Sequence, residues 1–274
     1  AITSSQLEGA STTRQVAKEM LREGREPRNR SEQMIFNNYL TMKEVGKVKE
    51  EALTPELVFY IHRLVTEETL DDPTAAGRFR KNDESIVVSD PSSGATLHRP
   101  PPADELESRL AAMCDFANAK TPEEFLHPVL RSIILHFWLA YDHPFVDGNG
   151  RTARTLFYWS MLHHGYWLCE YITISHILRK APVQSSRAFL YTETDENDLT
   201  YFILYHLNVV DRAIQALHNY IQRKTEELNQ VEAELKNLAM FNHRQRALLN
   251  HALRHPHVRY TIQGHQTSHS VVYE

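Results

Sequence analysis

Twelve consecutive residues concentrate groups able to do chemistry: His143-Pro144-Phe145-Val146-Asp147-Gly148-Asn149-Gly150-Arg151-Thr152-Ala153-Arg154. An imidazole titrates close enough to neutral pH to remove a proton there, which makes His143 a candidate general base. Asp147 stands just before the glycines, and one carboxylate together with substrate phosphates is the usual way to hold Mg²⁺. Gly148 and Gly150 allow backbone shapes closed to other residues and leave no Cβ to block close approach. A helix is expected to start near Gly150 or Arg151. Its first amides lack partners within the helix and carry the positive end of the dipole, so amides converging there suit a phosphate. Arg151 and Arg154, at i and i+3, are expected to share one helix face. Two cations beside a positive helix end are unfavourable unless an anion lies opposite. Base, metal ligand, amide nest and cations together describe phosphoryl-type transfer, where positioning and charge neutralisation carry most of the catalysis. Each piece alone has a plainer reading, as a structural histidine, a turn or a solvated arginine pair; their concentration in one loop argues for the joint one.

Such a loop needs rigid neighbours. Pro128 to Tyr141 is apolar nearly all round, which predicts a helix buried at the centre of the domain and delivering His143 from a fixed base. Leu156 to Leu162 continues the helix on the far side. Because His143 precedes a proline, an extended backbone is expected there, and Phe145 is expected to anchor the loop in the core. His136 reads as a core histidine.

The run 143–154 resembles the Fic family motif HxFx(D/E)GNGRxxR at every specified position. The resemblance implies an all-α, mainly helical fold with a small β-hairpin flap, its core extending to about residue 220. It implies protein AMPylation, the transfer of AMP from ATP to a hydroxyl of a target protein with release of pyrophosphate. Carried over by position, His143 is the base and Asp147 holds Mg²⁺. Gly148, Asn149 and Gly150 cradle phosphates, Arg154 pairs with the γ-phosphate, and Arg151 is a further phosphate contact, with Thr152 in the same nucleotide-binding run. Gly150 stands where the kinase-like Doc branch typically has lysine, which favours nucleotidyl transfer.

At the other end, Ser4-Ser5-Gln6-Leu7-Glu8-Gly9 resembles the (S/T)xxxE(G/N) inhibitory motif of many Fic proteins. There the glutamate reaches the final arginine of the loop motif. Transferred here, Glu8 pairs with Arg154, Ser4 helps to position it, and Gly9 completes the motif. Ser5 and Glu8 also fit a capping box, in which the glutamate merely closes a helix start. Between the two motifs, Ile86-Val87-Val88 and Ala95-Thr96-Leu97 are extended runs flanking Asp90-Pro91-Ser92-Ser93-Gly94, a turn signal. In relatives this place holds the flap that docks the target by strand addition. Val87 and Val88 are the candidates for that contact, with an ordinary surface hairpin as the alternative. Relatives often carry an aromatic lining the adenine pocket where this chain has Ser185-Ser186, with Tyr191 further on.

The 274 residues are 42% hydrophobic with a net charge of −5, enough for a substantial core and against general nucleic-acid binding by the whole chain. Two cysteines, Cys114 and Cys169, suggest a reducing compartment. No apolar run approaches membrane-spanning length and no signal-peptide pattern opens the chain, so a cytoplasmic protein without a membrane partner is expected. The expected divisions are an inhibitory helix region at 1–24, a core at 25–220, a connecting helix at 221–239 and a partial winged-helix-like unit at 240–274. That last stretch holds four arginines, six histidines and a single acid. Asn242 to His255 reads as its first helix, Tyr260-Thr261-Ile262 as a strand, and Thr267 to Glu274 as the start of a second helix. The histidines lack metal-site spacing. Two further functions stand beside transfer of AMP: a nucleotide-sensing transcriptional regulator binding DNA through a complete winged helix, and the reverse reaction, de-AMPylation with Glu8 orienting water. A homodimer is expected from resemblance alone.

Overall fold

The computed structural model describes residues 1–84, 86–89, 94–237 and 242–254, in two compact units, 1–214 and 215–274. In the first, α1 (Ile2–Leu7) and α2 (Arg14–Glu23) precede α3 (Arg30–Val48) and α4 (Pro55–Thr66). The last three begin on side-chain caps: Thr13 accepts from Val16 N–H, Asn29 from Glu32 N–H and Thr54 from Leu57 N–H, each satisfying an amide the helix cannot. Pro55 follows its cap at the position where a missing N–H costs nothing. A hairpin of β1 (Val88–Ser89) and β2 (Thr96–His98) comes next, antiparallel, with Val88 opposite His98 and an irregularity before Ser89 opposite Thr96. The turn residues 90–93 lie outside the described part.

Then come α5 (Leu106–Ala117), α6 (Pro128–Asp142), α7 (Asn149–His163), α8 (Ile174–Lys180) and α9 (Pro182–Thr194). The centre of this unit is α6 packed on α7. Ile133, Leu135 and Leu139 of α6 and Leu156, Phe157 and Trp159 of α7 have no exposed surface. Burying side chains of this size stabilises by about 1.5–3 kcal/mol each. Less obvious from sequence, α7 also buries Thr152, Thr155 and Ser160. Thr152 and Thr155 donate back to the carbonyls of Gly148 and Arg151, and Ser160 meets Ser132 of α6 at 2.8 Å, so none is left unpaired.

The connecting helix expected at 221–239 is no separate element but the continuation of α10 (Thr200–Asn237), which starts within the expected core and in which the unit boundary falls. No glycine or proline occurs within it to break the ladder, so the change in surface composition there marks no change of element. In the second unit α11 (His243–Arg254) matches the first helix expected there. The strand at Tyr260–Ile262 and the helix from Thr267 lie outside the described residues. No helix among the described residues is long and apolar enough to cross a membrane.

Candidate active site

The end of α6 sets the position of His143. The proline that follows disfavours right-handed helical backbone at His143, but the outcome is a left-handed cap (φ 44°, ψ 54°) rather than the extended backbone expected. Its N–H still closes the helix on Leu139 O at 3.0 Å. A non-glycine residue held there costs about 1–3 kcal/mol, so surrounding contacts must impose it. Arg80, almost fully buried, supplies them: its Nε donates to His143 O at 2.9 Å, its backbone N–H to Pro144 O at 2.8 Å, and its terminal nitrogen to Pro101 O. Arg80→Met leaves the main-chain carbonyls of His143 and Pro101 without the guanidinium donor and is expected to cost about 3 kcal/mol of unfolding free energy, measured by urea titration.

The imidazole of His143 is oriented by its own helix. Nδ1 lies 3.1 Å from Ala140 O. A carbonyl only accepts, so Nδ1 carries the hydrogen and Nε2 keeps its lone pair. Burial lowers the His143 pKa below its ordinary value, with the His98 charge adding to the effect. At neutral pH the group is therefore a free base.

Beyond His143, the loop is held shut by side chains facing inward. Asn149 accepts from Phe145 N–H at 2.9 Å and donates to Phe145 O at 2.8 Å. Its amide is thus a staple, and what the residue can offer a phosphate is its backbone N–H. Phe145 is fully buried, as expected, and stacks on His62 of α4 at 3.7 Å between centroids. His62 is a site residue the sequence did not reveal. Its Nε2–H donates to Asp147 O at 2.9 Å while Nδ1 accepts from Gly77 N–H at 2.9 Å. That pairing requires the neutral ring, and burial pushes its pKa down to about 4. Gly148 caps α7 at φ 83°, where a Cβ would stand 2.6 Å from the Thr66 methyl. Gly148→Ala is expected to lose about 2–4 kcal/mol from strain and overlap together. Thermal melting checks this, and adding Thr66→Ser to remove the methyl should recover part of the loss.

The two arginines do not share a task. Arg151, expected to face a phosphate, has no exposed surface; one terminal nitrogen donates to Val65 O at 2.6 Å and the other reaches Asp147 Oδ2 at 3.5 Å. It therefore holds α4 and the acidic residue in place. Thr152, also expected at the nucleotide, is wholly buried on Gly148 O. Asp147 itself stays half-exposed, with Oδ1 accepting from Gly148 N–H at 2.6 Å and Arg30 standing 3.8 Å from Oδ2. Its open face suits a hard divalent cation whose remaining ligands come from phosphate and water.

Arg154 faces α1. Its Nε donates to Ser4 Oγ at 2.9 Å, and one terminal nitrogen donates to Ser4 O at 3.0 Å and to Glu8 Oε1 at 2.7 Å. The carboxylate of Glu8 also lies directly over Gly150, where an added Cβ would overlap Oε1. A carboxylate thus occupies the face of Arg154 above the first turn of α7. The capping-box alternative fails: α1 begins at Ile2, which leaves Ser5 and Glu8 at its end rather than its start. Ser5 is instead fully buried and donates to Met34 O at 3.0 Å, pinning α1 to α3. Gly9 turns the chain away at φ 89°. On the hairpin, Val88 lies in β1 opposite His98 and Val87 just before it, 41% exposed.

Comparison with known proteins fits this geometry. Residues 52–161 match the Fic/DOC family. The protein adenylyltransferase Fic of Nematostella vectensis is 37% identical over 118 residues, covering 43% of this chain and 25% of that protein. Its namesake in Drosophila melanogaster is 31% identical over 134 residues, covering 48% and 25%. The chain thus matches about a quarter of the length of these curated relatives. Among solved structures, a Fic family protein from Desulfovibrio desulfuricans G20 superimposes with a TM-score of 0.65 at 22% identity, over 80% of this chain and 63% of that one. Fic-1 (residues 134–508) of C. elegans does so with 0.60 at 20% identity, over 82% and 62%. At these identities the likeness is one of fold.

Proposed function

We propose that this chain, whose residues 52–161 match the Fic/DOC family, is a protein adenylyltransferase kept inactive by its own N-terminal helix. The observation that carries the reading is the Glu8 carboxylate, 2.7 Å from Arg154 and over Gly150. A terminal phosphate of ATP needs the same guanidinium and the same space above the first turn of α7. The two anions exclude one another.

With Glu8 withdrawn, the amides of the Gly148–Gly150 turn and Arg154 would align the triphosphate. Asp147 would hold Mg²⁺, which when bound neutralises charge on the phosphates. His143 Nε2 takes the proton from the target hydroxyl as that oxygen bonds to the α-phosphorus. The bond from the α-phosphorus to the bridging oxygen breaks, and pyrophosphate leaves with the electron pair. The target keeps AMP as a phosphodiester. Asn149, Arg151, His62 and Arg80 contribute by fixing the loop, and the hairpin would receive a target segment as an added strand, with Val87 and Val88 as its contacts.

The test uses Glu8→Gly with Mg²⁺ and ATP labelled on either the α- or the γ-phosphorus. The protein should retain α-label and none of the γ-label. Retention of γ-label would mean phosphoryl transfer and overturn the assignment.

A further inference from the structure

We propose that His98 is a positioning residue: an imidazolium that clasps the hairpin to the end of α6 and to α9, and so fixes the distance between the hairpin and His143. The kinetic consequence rests on the adenylyltransferase reading, whereas the clasp itself rests on geometry alone. His98 Nε2 lies 2.6 Å from Tyr141 O, an acceptor, so this nitrogen carries a hydrogen. Nδ1 lies 2.7 Å from Glu193 Oε2. With a carboxylate at that distance Nδ1 donates too, which makes the ring doubly protonated although only 7% of its side chain is exposed.

The surroundings support a buried cation. Burial opposes the charge, but the hydrogen bonds to Glu193 and the Tyr141 carbonyl, with the charges of Glu193 and Asp142, outweigh it and raise the pKa above its ordinary value. From α6 the ring meets Tyr141 at 4.9 Å between centroids, and Asp142, itself paired with Arg109 of α5 at 2.8 Å. His143 is near enough that the His98 charge helps to lower its basicity. From α9 comes Glu193. Tyr141 precedes His143 by two residues, and His98 is the β2 partner of Val88. The hairpin and the base are therefore joined through a single side chain, at a distance where an error of about 1 Å can cost roughly 100-fold in rate.

The charge gives the clasp a direction in pH. A histidine whose folded pKa is raised contributes fully below its unfolded value near 6.5 and loses that contribution as pH rises through the folded value. Once neutral, His98 turns a lone pair toward Glu193, so the hairpin loses its hold on α9 and keeps the Nε2–H bond to Tyr141 O. His143 titrates in the opposite sense, as a base available above its lowered pKa. The rate of transfer should rise with pH as His143 loses its proton and fall at higher pH as His98 loses its own.

The experiment compares Glu8→Gly with Glu8→Gly/Glu193→Gln in two measurements. In the first, nitrogen-15 NMR of the histidine side chains across pH reports the protonation of His98. It should remain doubly protonated past pH 6.5 with Glu193 present, and its pKa should fall by roughly one to three units in the glutamine variant. In the second, self-labelling from α-labelled ATP gives a pH profile whose alkaline limb should move to lower pH in the glutamine variant, with the KM for ATP unchanged. A singly protonated His98 at pH 6.5 in the chain that keeps Glu193, or an alkaline limb that Glu193→Gln leaves in place, overturns the proposal. Absence of labelling in every form would overturn the adenylyltransferase reading instead, and the NMR titration would then decide the clasp alone.

Discussion

Glu8→Gly is expected to raise self-labelling from α-labelled ATP, measured as an initial rate at subsaturating nucleotide, by roughly 5- to 150-fold, the usual span of coupling between sites that oppose each other. Every feature of the Glu8 contact points to exclusion rather than fine adjustment. The carboxylate is 2.7 Å from an arginine whose side chain is 8% exposed, so no phosphate can share that nitrogen while the contact stands. Ser4 accepts from Nε and from that same terminal nitrogen, and Ser5 ties the helix to Met34 O. The helix is therefore anchored whether or not Glu8 is present, and the substitution should empty the seat without unfolding α1. The control is Arg154→Ala, which also breaks the contact but removes the phosphate's partner. It should stay as slow as the parent, alone or combined with Glu8→Gly. Activation by Arg154→Ala would show that Glu8 restrains the site by some route other than occupying that arginine.

Adding His143→Ala to Glu8→Gly is expected to lower labelling by about 10²–10⁴-fold, the contribution of a positioned general base. Binding of Mg-ATP should change little, because His143 has its Nδ1–H on Ala140 O and presents only Nε2 to a reacting hydroxyl. In Glu8→Gly itself the acid limb of the rate profile should lie below pH 6.5, since burial lowers the His143 pKa. Equal rates with and without His143 would remove the base from the mechanism and leave the loop a binding site only.

How much of this the sequence carries depends on how local each feature is. The loop from His143 to Arg154 is legible because its groups are adjacent, and Phe145 reads as an anchor because it is the largest apolar side chain of the run. Glu8 is legible only as half of a pair: residue 8 and residue 154 have no local relation, and the contact follows from treating two short motifs as complementary. Arg151 shows the limit of face arguments. Spacing of three places it beside Arg154, yet α7 is buried on all sides, and Arg151 spends its donors on Val65 O and Asp147. His62 and Arg80 lie 81 and 63 residues from His143 by their numbers in the chain and carry no motif. His62 sits in the apolar stripe of α4 with Val58, Ile61 and Val65 and looks like core. Its role depends on what Gly77 and Asp147 bring to it. The backbone at His143 escaped for another reason: a following proline excludes one region but does not choose between the two that remain.

The central claim is that Glu8 takes the place of the terminal phosphate and of nothing else on the nucleotide. Calorimetric titration of the parent chain and of Glu8→Gly with Mg-ATP and with AMP tests it most directly. The account expects the substitution to tighten ATP binding several-fold or more while AMP, which has no phosphate to reach Arg154, binds both forms alike. Equal affinities of both forms for ATP, or the same gain for AMP as for ATP, would contradict it.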